Sequence, residues 1–181
     1  MPRPKADWVV RALANQGVTH AIGIPDNGSA ALFERLESHS DIQLLTVTRE
    51  GEVFAIASGL WIGGRVPVAI IQNTGLLESG DSLRGTAMRM GIPLLCLIGY
   101  RGYAKMVQAG IDPNAATFNA ATLQRADIDS AALLTEPTLR AWGVPYSMLS
   151  NDPEMPEIVQ GHAQAIQGQC PVAVLLPFDL E

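Results

Sequence analysis

The sequence predicts an α/β fold: a doubly wound, mostly parallel sheet with helices on both faces. Three observations predict it. Strand-length apolar runs alternate with helix-length segments from end to end. Two of those runs, residues 66–71 and 92–98, are almost wholly apolar, as strands covered on both faces must be. The helical stretches stop at glycines, namely Gly17, Gly63-Gly64 and Gly91.

Residues 6–16 set Ala6, Val9, Val10 and Leu13 on one helical face, and Gly17 ends that helix. A first strand over 18–24 runs into Pro25-Asp26-Asn27-Gly28, a loop composition, and helical spacing returns over 29–36. A second strand over 42–47 leads to a helix over about 50–62, where Val53, Phe54, Ala57, Leu60 and Trp61 share a face. The run 66–71 is the central strand, a helix spans 79–90, and 92–98 is a further buried strand. Periodicity lapses over 99–130; a loop of that length is usually functional or mobile. A helix near 137–142 and a strand over 145–149 follow. The next helix opens at Asp152-Pro153, aspartate as cap and proline in the first turn, with Met155, Ile158, Val159, His162 and Ile166 facing inward. Residues 172–176 are the last strand. No repeat or linker interrupts the pattern, and residues 1–181 read as one domain.

Composition narrows the function. The chain is 48% hydrophobic but only 17% charged, against about 25% in a typical chain, so part of its surface is expected to lie under another chain. A net charge of −6 and the lack of any basic run argue against nucleic-acid binding. Cys96 and Cys170 sit far apart in apolar runs, which suits neither a disulfide framework nor a zinc cluster. No apolar run approaches the ~20 residues of a membrane span, and the start leads into a helix, not an apolar signal core. A cytoplasmic protein without membrane contact is expected.

In such a sheet, ligands gather beyond the carboxyl ends of the strands. The residues there spell no familiar nucleotide motif. Gly23 to Ser29 has P-loop glycine spacing but no lysine, and no G-x-S-x-G elbow occurs. His162 reads as a core-edge histidine. Glu50, just after the second strand, is either a first-turn glutamate favoured by the helix dipole or a carboxylate offered to a ligand. Gln72-Asn73-Thr74-Gly75 is either a turn capped by Asn73 or Thr74, or a set of amide groups beside Glu50, if the strands preceding them are neighbours.

Four stretches together resemble a known family: Gly23 to Asp26, Thr48 to Gly59, Ile71 to Leu76, and Ile92 to Gly102. Their order and spacing are similar to the pyrimidine-binding domain of thiamine-diphosphate enzymes, in particular phosphonopyruvate decarboxylases and the α subunit of sulfopyruvate decarboxylase. The resemblance implies the thiamine-diphosphate-binding fold and the α half of a 2-oxo-acid decarboxylase. In that family a glutamate at the Glu50 position hydrogen-bonds N1′ of the cofactor's aminopyrimidine, and the cofactor serves as electron sink when CO₂ leaves. Glu50 is then the catalytic residue. Pro25, Gln72, Asn73, Thr74 and Gly75 are assigned to the cofactor by the same resemblance, and Asp26, Asn27 and Arg101 to the substrate.

The family holds the diphosphate and Mg²⁺ through a Gly-Asp-Gly motif in a second domain. The nearest approach here, Gly80-Asp81-Ser82, lies in the wrong segment, and no metal ligand is assigned to this chain. The resemblance therefore implies a β subunit bearing that motif, an α2β2 or higher assembly, and a small anionic 2-oxo acid as substrate. Relatives follow the turn after the fourth strand with a short acidic, histidine-containing loop. Here Gly102-Tyr103-Ala104-Lys105-Met106 stands instead, and no histidine occurs between residues 40 and 161. Arg101 and Lys105 are left as receivers for a carboxylate, sulfonate or phosphonate. A carboligase subunit like that of acetolactate synthase, and a non-catalytic scaffold protein of the same fold, are the alternatives.

Overall fold

A computed structural model of the chain describes residues 4–112 and 118–181. Its strands are β1 (His20–Gly23), β2 (Gln43–Thr46), β3 (Pro67–Gln72), β4 (Leu95–Gly99), β5 (Tyr146–Met148) and β6 (Val172–Leu176). They form one sheet in the order β2-β1-β3-β4-β6-β5, and every neighbouring pair is parallel. Parallel neighbours need crossovers, which the helices supply. These are α1 (Ala6–Asn15), α2 (Ala30–Glu37), α3 (Glu50–Ile62), α4 (Asn73–Glu78), α5 (Gly80–Ser82), α6 (Tyr103–Gln108), α7 (Ala120–Leu123), α8 (Ser130–Trp142) and α9 (Pro156–Gly168), with a π-helix over Leu83–Met88.

Side chains alternate across the strands and so split the core in two. Val68 and Ile70 of β3, with Leu95 and Leu97 of β4, pack under α1, α2 and α9. Ala69, Ile71, Cys96 and Ile98 pack on the other face under α3, α4, the π-helix, α6 and α8. Burial pushes the Cys96 thiol well above its ordinary value, so it stays a neutral core group.

The alternation of elements follows the sequence reading, but several boundaries do not. α8 begins at Ser130, not near Pro137, which sits inside the helix. Proline at a first turn is the better local choice, yet Asp129 caps the true start by accepting from Ala131 N (3.0 Å) and Ala132 N (3.3 Å). The buried stripe of Ala131, Ala132, Thr135 and Leu139 then outweighs the ~3 kcal/mol proline penalty. α9 starts at Pro156, and Asp152 instead closes a turn by accepting from Glu154 N at 2.9 Å. Its inward stripe is Ile158, Gly161, His162 and Ala165; Val159 and Ile166 lie one position off it and are exposed.

A single helix over 79–90 is replaced by α4, α5 and the π-helix, because helical structure begins directly at the end of β3. Asn73 and Thr74 do not cap it: the position before α4 is Gln72, and no side-chain cap bond forms there. The aperiodic 99–130 stretch contains α6, α7 and the start of α8, and its residues 113–117 lie outside the described residues. α6 buries only Met106, too little to print a period on the sequence. No described helix is long and apolar enough to cross a membrane.

His162 is buried, and burial holds its imidazolium form below the ordinary value. The unfolded chain therefore takes up a proton near pH 6.5 that the native chain resists. Stability is fully present above about pH 6.5 and falls as pH drops through that value toward the lower native one. Urea midpoints at pH 7.5 and pH 5 should differ more for the parent chain than for His162→Gln. Equal differences would remove His162 as the source.

Candidate functional site

The chain leaves β1 for β2 on one side and returns to β3 on the other, so the sheet's order reverses between β1 and β3. Their diverging connections open a crevice at the carboxyl ends, the usual ligand position in an open α/β sheet. A cavity of about 370 Å³ lies there, lined among others by Asp26, Asn27, Gln72, Arg101, Lys105 and Phe178. A larger groove, about 740 Å³, sits at the opposite, amino ends of β1 and β2, away from the switch point.

Asp26 follows β1 and folds the loop onto itself. Its Oδ1 accepts from Gly28 N at 2.7 Å and Ser29 N at 3.0 Å. Its Oδ2 is buried with no hydrogen-bond partner among the described residues. A Cβ built on Gly99 would lie 3.6 Å from that oxygen, so Oδ2 reaches across toward the end of β4. A buried acceptor without a donor costs about 1–3 kcal/mol, a cost that a ligand's N–H or O–H can relieve. The chain's end closes over the same loop through Leu180 N, which donates to Gly28 O at 3.0 Å.

Glu50 is the first residue of α3 and half-buried. The strands before Glu50 and Gln72 are not neighbours, because β1 lies between β2 and β3. The expected proximity is met another way. α3 packs on α4, and the Glu50 side chain lies across Gly75. A Cβ at position 75 would stand 2.3 Å from Glu50 Cγ and 2.7 Å from Oε1, so only glycine leaves this path open. The neighbouring acids are engaged. Glu52 Oε2 accepts from Thr48 N and Arg49 N, both at 3.2 Å. Glu78 Oε2 accepts from Gly51 N at 3.1 Å. No hydrogen bond to the Glu50 carboxylate occurs among the described residues.

The remaining candidates divide. Gln72 faces the cavity, where its Oε1 accepts from Thr74 Oγ1 at 2.8 Å. Asn73 is turned inward and fully buried; its Nδ2 donates to Arg101 O at 3.0 Å and Thr135 Oγ1 at 3.1 Å, tying α4 to the turn after β4 and to α8. Pro25 is exposed and does not line the cavity; Asn27 does. Arg101 reaches the rim, held by Asp129 Oδ2 at 3.3 Å, and Lys105 Nζ donates to Ala126 O at 3.0 Å. Asp81 is a helix residue paired with Arg84 at 2.6 Å. Among the described residues no three His, Cys, Asp or Glu side chains gather as a metal cluster.

Beneath the cavity, buried Glu136 accepts from Tyr100 Oη (3.0 Å) and Tyr146 Oη (2.8 Å), which fixes α8 to the sheet. Burial first, then the charge and hydrogen bond of Glu136 for Tyr100 and the hydrogen bond and charge of Glu136 for Tyr146, pushes both phenols above their ordinary value, with Arg140 opposing at Tyr146, so they remain neutral donors. Sequence reasoning missed Glu52, Glu78 and Phe178. Glu52 carried a signal, standing at the third position of a helix after Arg49 as in a capping box. Glu78 carried a fainter one, three residues after Gly75 on the same helical face.

Residues 5–126 match the family model for the thiamine pyrophosphate enzyme, N-terminal TPP binding domain. Phosphonopyruvate decarboxylase of Streptomyces viridochromogenes is 36% identical over 94 residues, which cover 52% of this chain and 24% of that protein. Sulfopyruvate decarboxylase subunit alpha of Methanococcus maripaludis is 31% identical over 100 residues, covering 55% of this chain and 60% of that subunit. The matches thus span less than two-thirds of either relative. The crystal structure of benzoylformate decarboxylase from Polynucleobacter necessarius superposes with a TM-score of 0.68 over 97% of this chain and 30% of that one, at 19% identity, a likeness of fold.

Gly75→Ala tests the packing at the crevice. The new methyl meets a side chain, not backbone, and alanine suits a helix better by ~1 kcal/mol. The melting temperature should stay within about 4 °C of the parent while Glu50 swings off α4 in a crystal structure. An unmoved Glu50, or a chain that no longer folds, contradicts the geometry.

Proposed function

Because the chain belongs to the thiamine pyrophosphate enzyme family, matched through its N-terminal TPP binding domain, we propose that it is the α, pyrimidine-binding subunit of a thiamine-diphosphate-dependent 2-oxo-acid decarboxylase. The observation that carries this reading is Glu50: a half-buried carboxylate after the carboxyl end of β2, outside the lining of the cavity, without a hydrogen bond among the described residues and laid over Gly75. The residues fit the cofactor. Gly75 leaves the room in which the Glu50 side chain lies, and Asp26, in the cavity after β1, offers a buried Oδ2 acceptor with no partner among the described residues. Bound thiamine diphosphate supplies the electron sink for loss of CO₂.

This chain's own residues then have separable tasks. Glu50 holds or shares a proton at N1′ of the aminopyrimidine. Gln72, Thr74 and Gly75, with Pro25 outside them, flank that ring, while Asn73 fixes the α4 start from within. Asp26 and Asn27 meet the substrate from the loop after β1, and Arg101 draws its anionic group to the rim. The reaction class follows the relatives that are named sulfopyruvate and phosphonopyruvate decarboxylases.

The diphosphate and Mg²⁺ belong to a β subunit with a Gly-Asp-Gly motif, in an α2β2 or larger cytoplasmic assembly. Relatives named as subunit alpha support a partner. The free face of α3 supports it too: Ile56 is 37% and Ile62 64% exposed, and a Cβ at Gly59 would meet nothing within 4 Å.

In the complex reconstituted with its β subunit, Glu50→Gln should lower decarboxylation by on the order of a hundredfold or more while assembly persists. Turnover at the parent rate would sink the assignment. Calorimetry should detect thiamine diphosphate uptake by the assembled complex with Mg²⁺; no uptake would sink the cofactor.

A further inference from the structure

The short segment that presents Glu50 is clasped from outside its own helix. Glu78 ends α4 one turn after Gly75, so both face the start of α3. Glu78 Oε2 accepts from Gly51 N at 3.1 Å, and Oε1 accepts from Arg49 Nη2 at 3.3 Å. The residues on either side of Glu50 therefore end on one carboxylate. The Arg49 pairing is loose, with its side chain 75% exposed, and contributes little by itself. The Gly51 contact is the stronger one. It is charge-assisted, it satisfies an amide that α3 leaves without an intrahelical partner, and it sets a negative group at the helix's positive end.

We propose that Glu78 is a positioning residue for Glu50: α4 supplies the floor at Gly75 and the clasp at Glu78, and the two together fix where the Glu50 carboxylate stands. The inference rests on the reading of Glu50 given above. Glu52 cannot replace the clasp, because its carboxylate is already spent on Thr48 and Arg49, before Glu50 in the chain. Without Glu78, the Gly51 side of the turn is held by α3 alone, and the segment that presents Glu50 loses its tie to α4.

The test compares Glu78→Ala and Glu78→Gln in the intact complex, with Glu50→Gln beside them. Glutamine keeps an acceptor for Gly51 N but drops the charge. Glu78→Ala should lower kcat on the order of tenfold with KM for the 2-oxo acid unchanged, since a misplaced group costs rate rather than binding. Glu78→Gln should restore most of that loss. Deuterium uptake over residues 49–54 should rise for alanine and not for glutamine. Parent kcat in Glu78→Ala, or glutamine as poor as alanine, overturns the clasp while Glu50→Gln stays inactive. An active Glu50→Gln overturns the underlying reading, and the clasp with it.

Discussion

The site depends on one missing methyl group. Glu50 can lie over α4 only because position 75 has no Cβ; with one, the contact with Glu50 Cγ would close to 2.3 Å. That constraint reaches back into the sheet. α3 follows edge strand β2 and α4 follows β3, so the two helices would sit a strand apart were they not packed against each other over β1. β1 keeps that span narrow. Its Gly23 runs so close to β3 that a Cβ there would stand 1.9 Å from Ile70 O. Two glycines thus mark the closest approaches here, Gly23 of β1 to β3 and Gly75 of α4 to Glu50.

Around Glu50 the acids divide their labour by hydrogen bonding. Glu52 and Glu78 each accept from backbone amides at the start of α3, where the first-turn N–H groups have no partner inside the helix. With those donors taken by its neighbours, Glu50 is not recruited as a cap and accepts no hydrogen bond among the described residues. Of the two alternatives left by the sequence, Glu50 meets the first by its place in the first turn of α3, which Glu52 shares, and the second is the proposed reading.

What could be read from the sequence follows from which forces are local. The strands were legible because Val68 to Ile71 and Leu95 to Ile98 are buried on both faces, and such runs are written directly in residue type. Asp26, Gln72 and Arg101, singled out by the family resemblance, each follow a strand, and they line one cavity. The misreadings are tertiary. Pro137 lies mid-helix because a buried stripe holds it there, and Asn73 turns inward because Thr135 and Arg101 O, far along the chain, accept its amide. The nearness of Glu50 to Gly75 was expected through adjacent strands, a premise the strand order overturns. The helix contact that delivers it has no signature in either segment alone.

The charge at the carboxyl ends of the strands bears on the proposed partner. Asp26, Asp179 and Gln72 line the cavity, and Glu50, Glu52 and Glu78 gather at the start of α3. Among the described residues the nearby cations already pair within the chain, Arg49 loosely with Glu78, Arg101 at the exposed rim with Asp129 and Lys105 with a backbone carbonyl, and of these only Arg101 is proposed to meet a substrate anion. A chain of net charge −6 with this arrangement suits an uncharged or protonated ring, whose N–H groups its carboxylates can accept. It is poorly suited to a diphosphate, which needs a cation or a row of free amides. If this chain receives the ring as proposed, its acidity fits a second half that brings metal and phosphate-binding groups. On the proposed reading, the exposed Ile56 and Ile62 of α3, the helix that begins at Glu50, are the apolar surface such a half would cover.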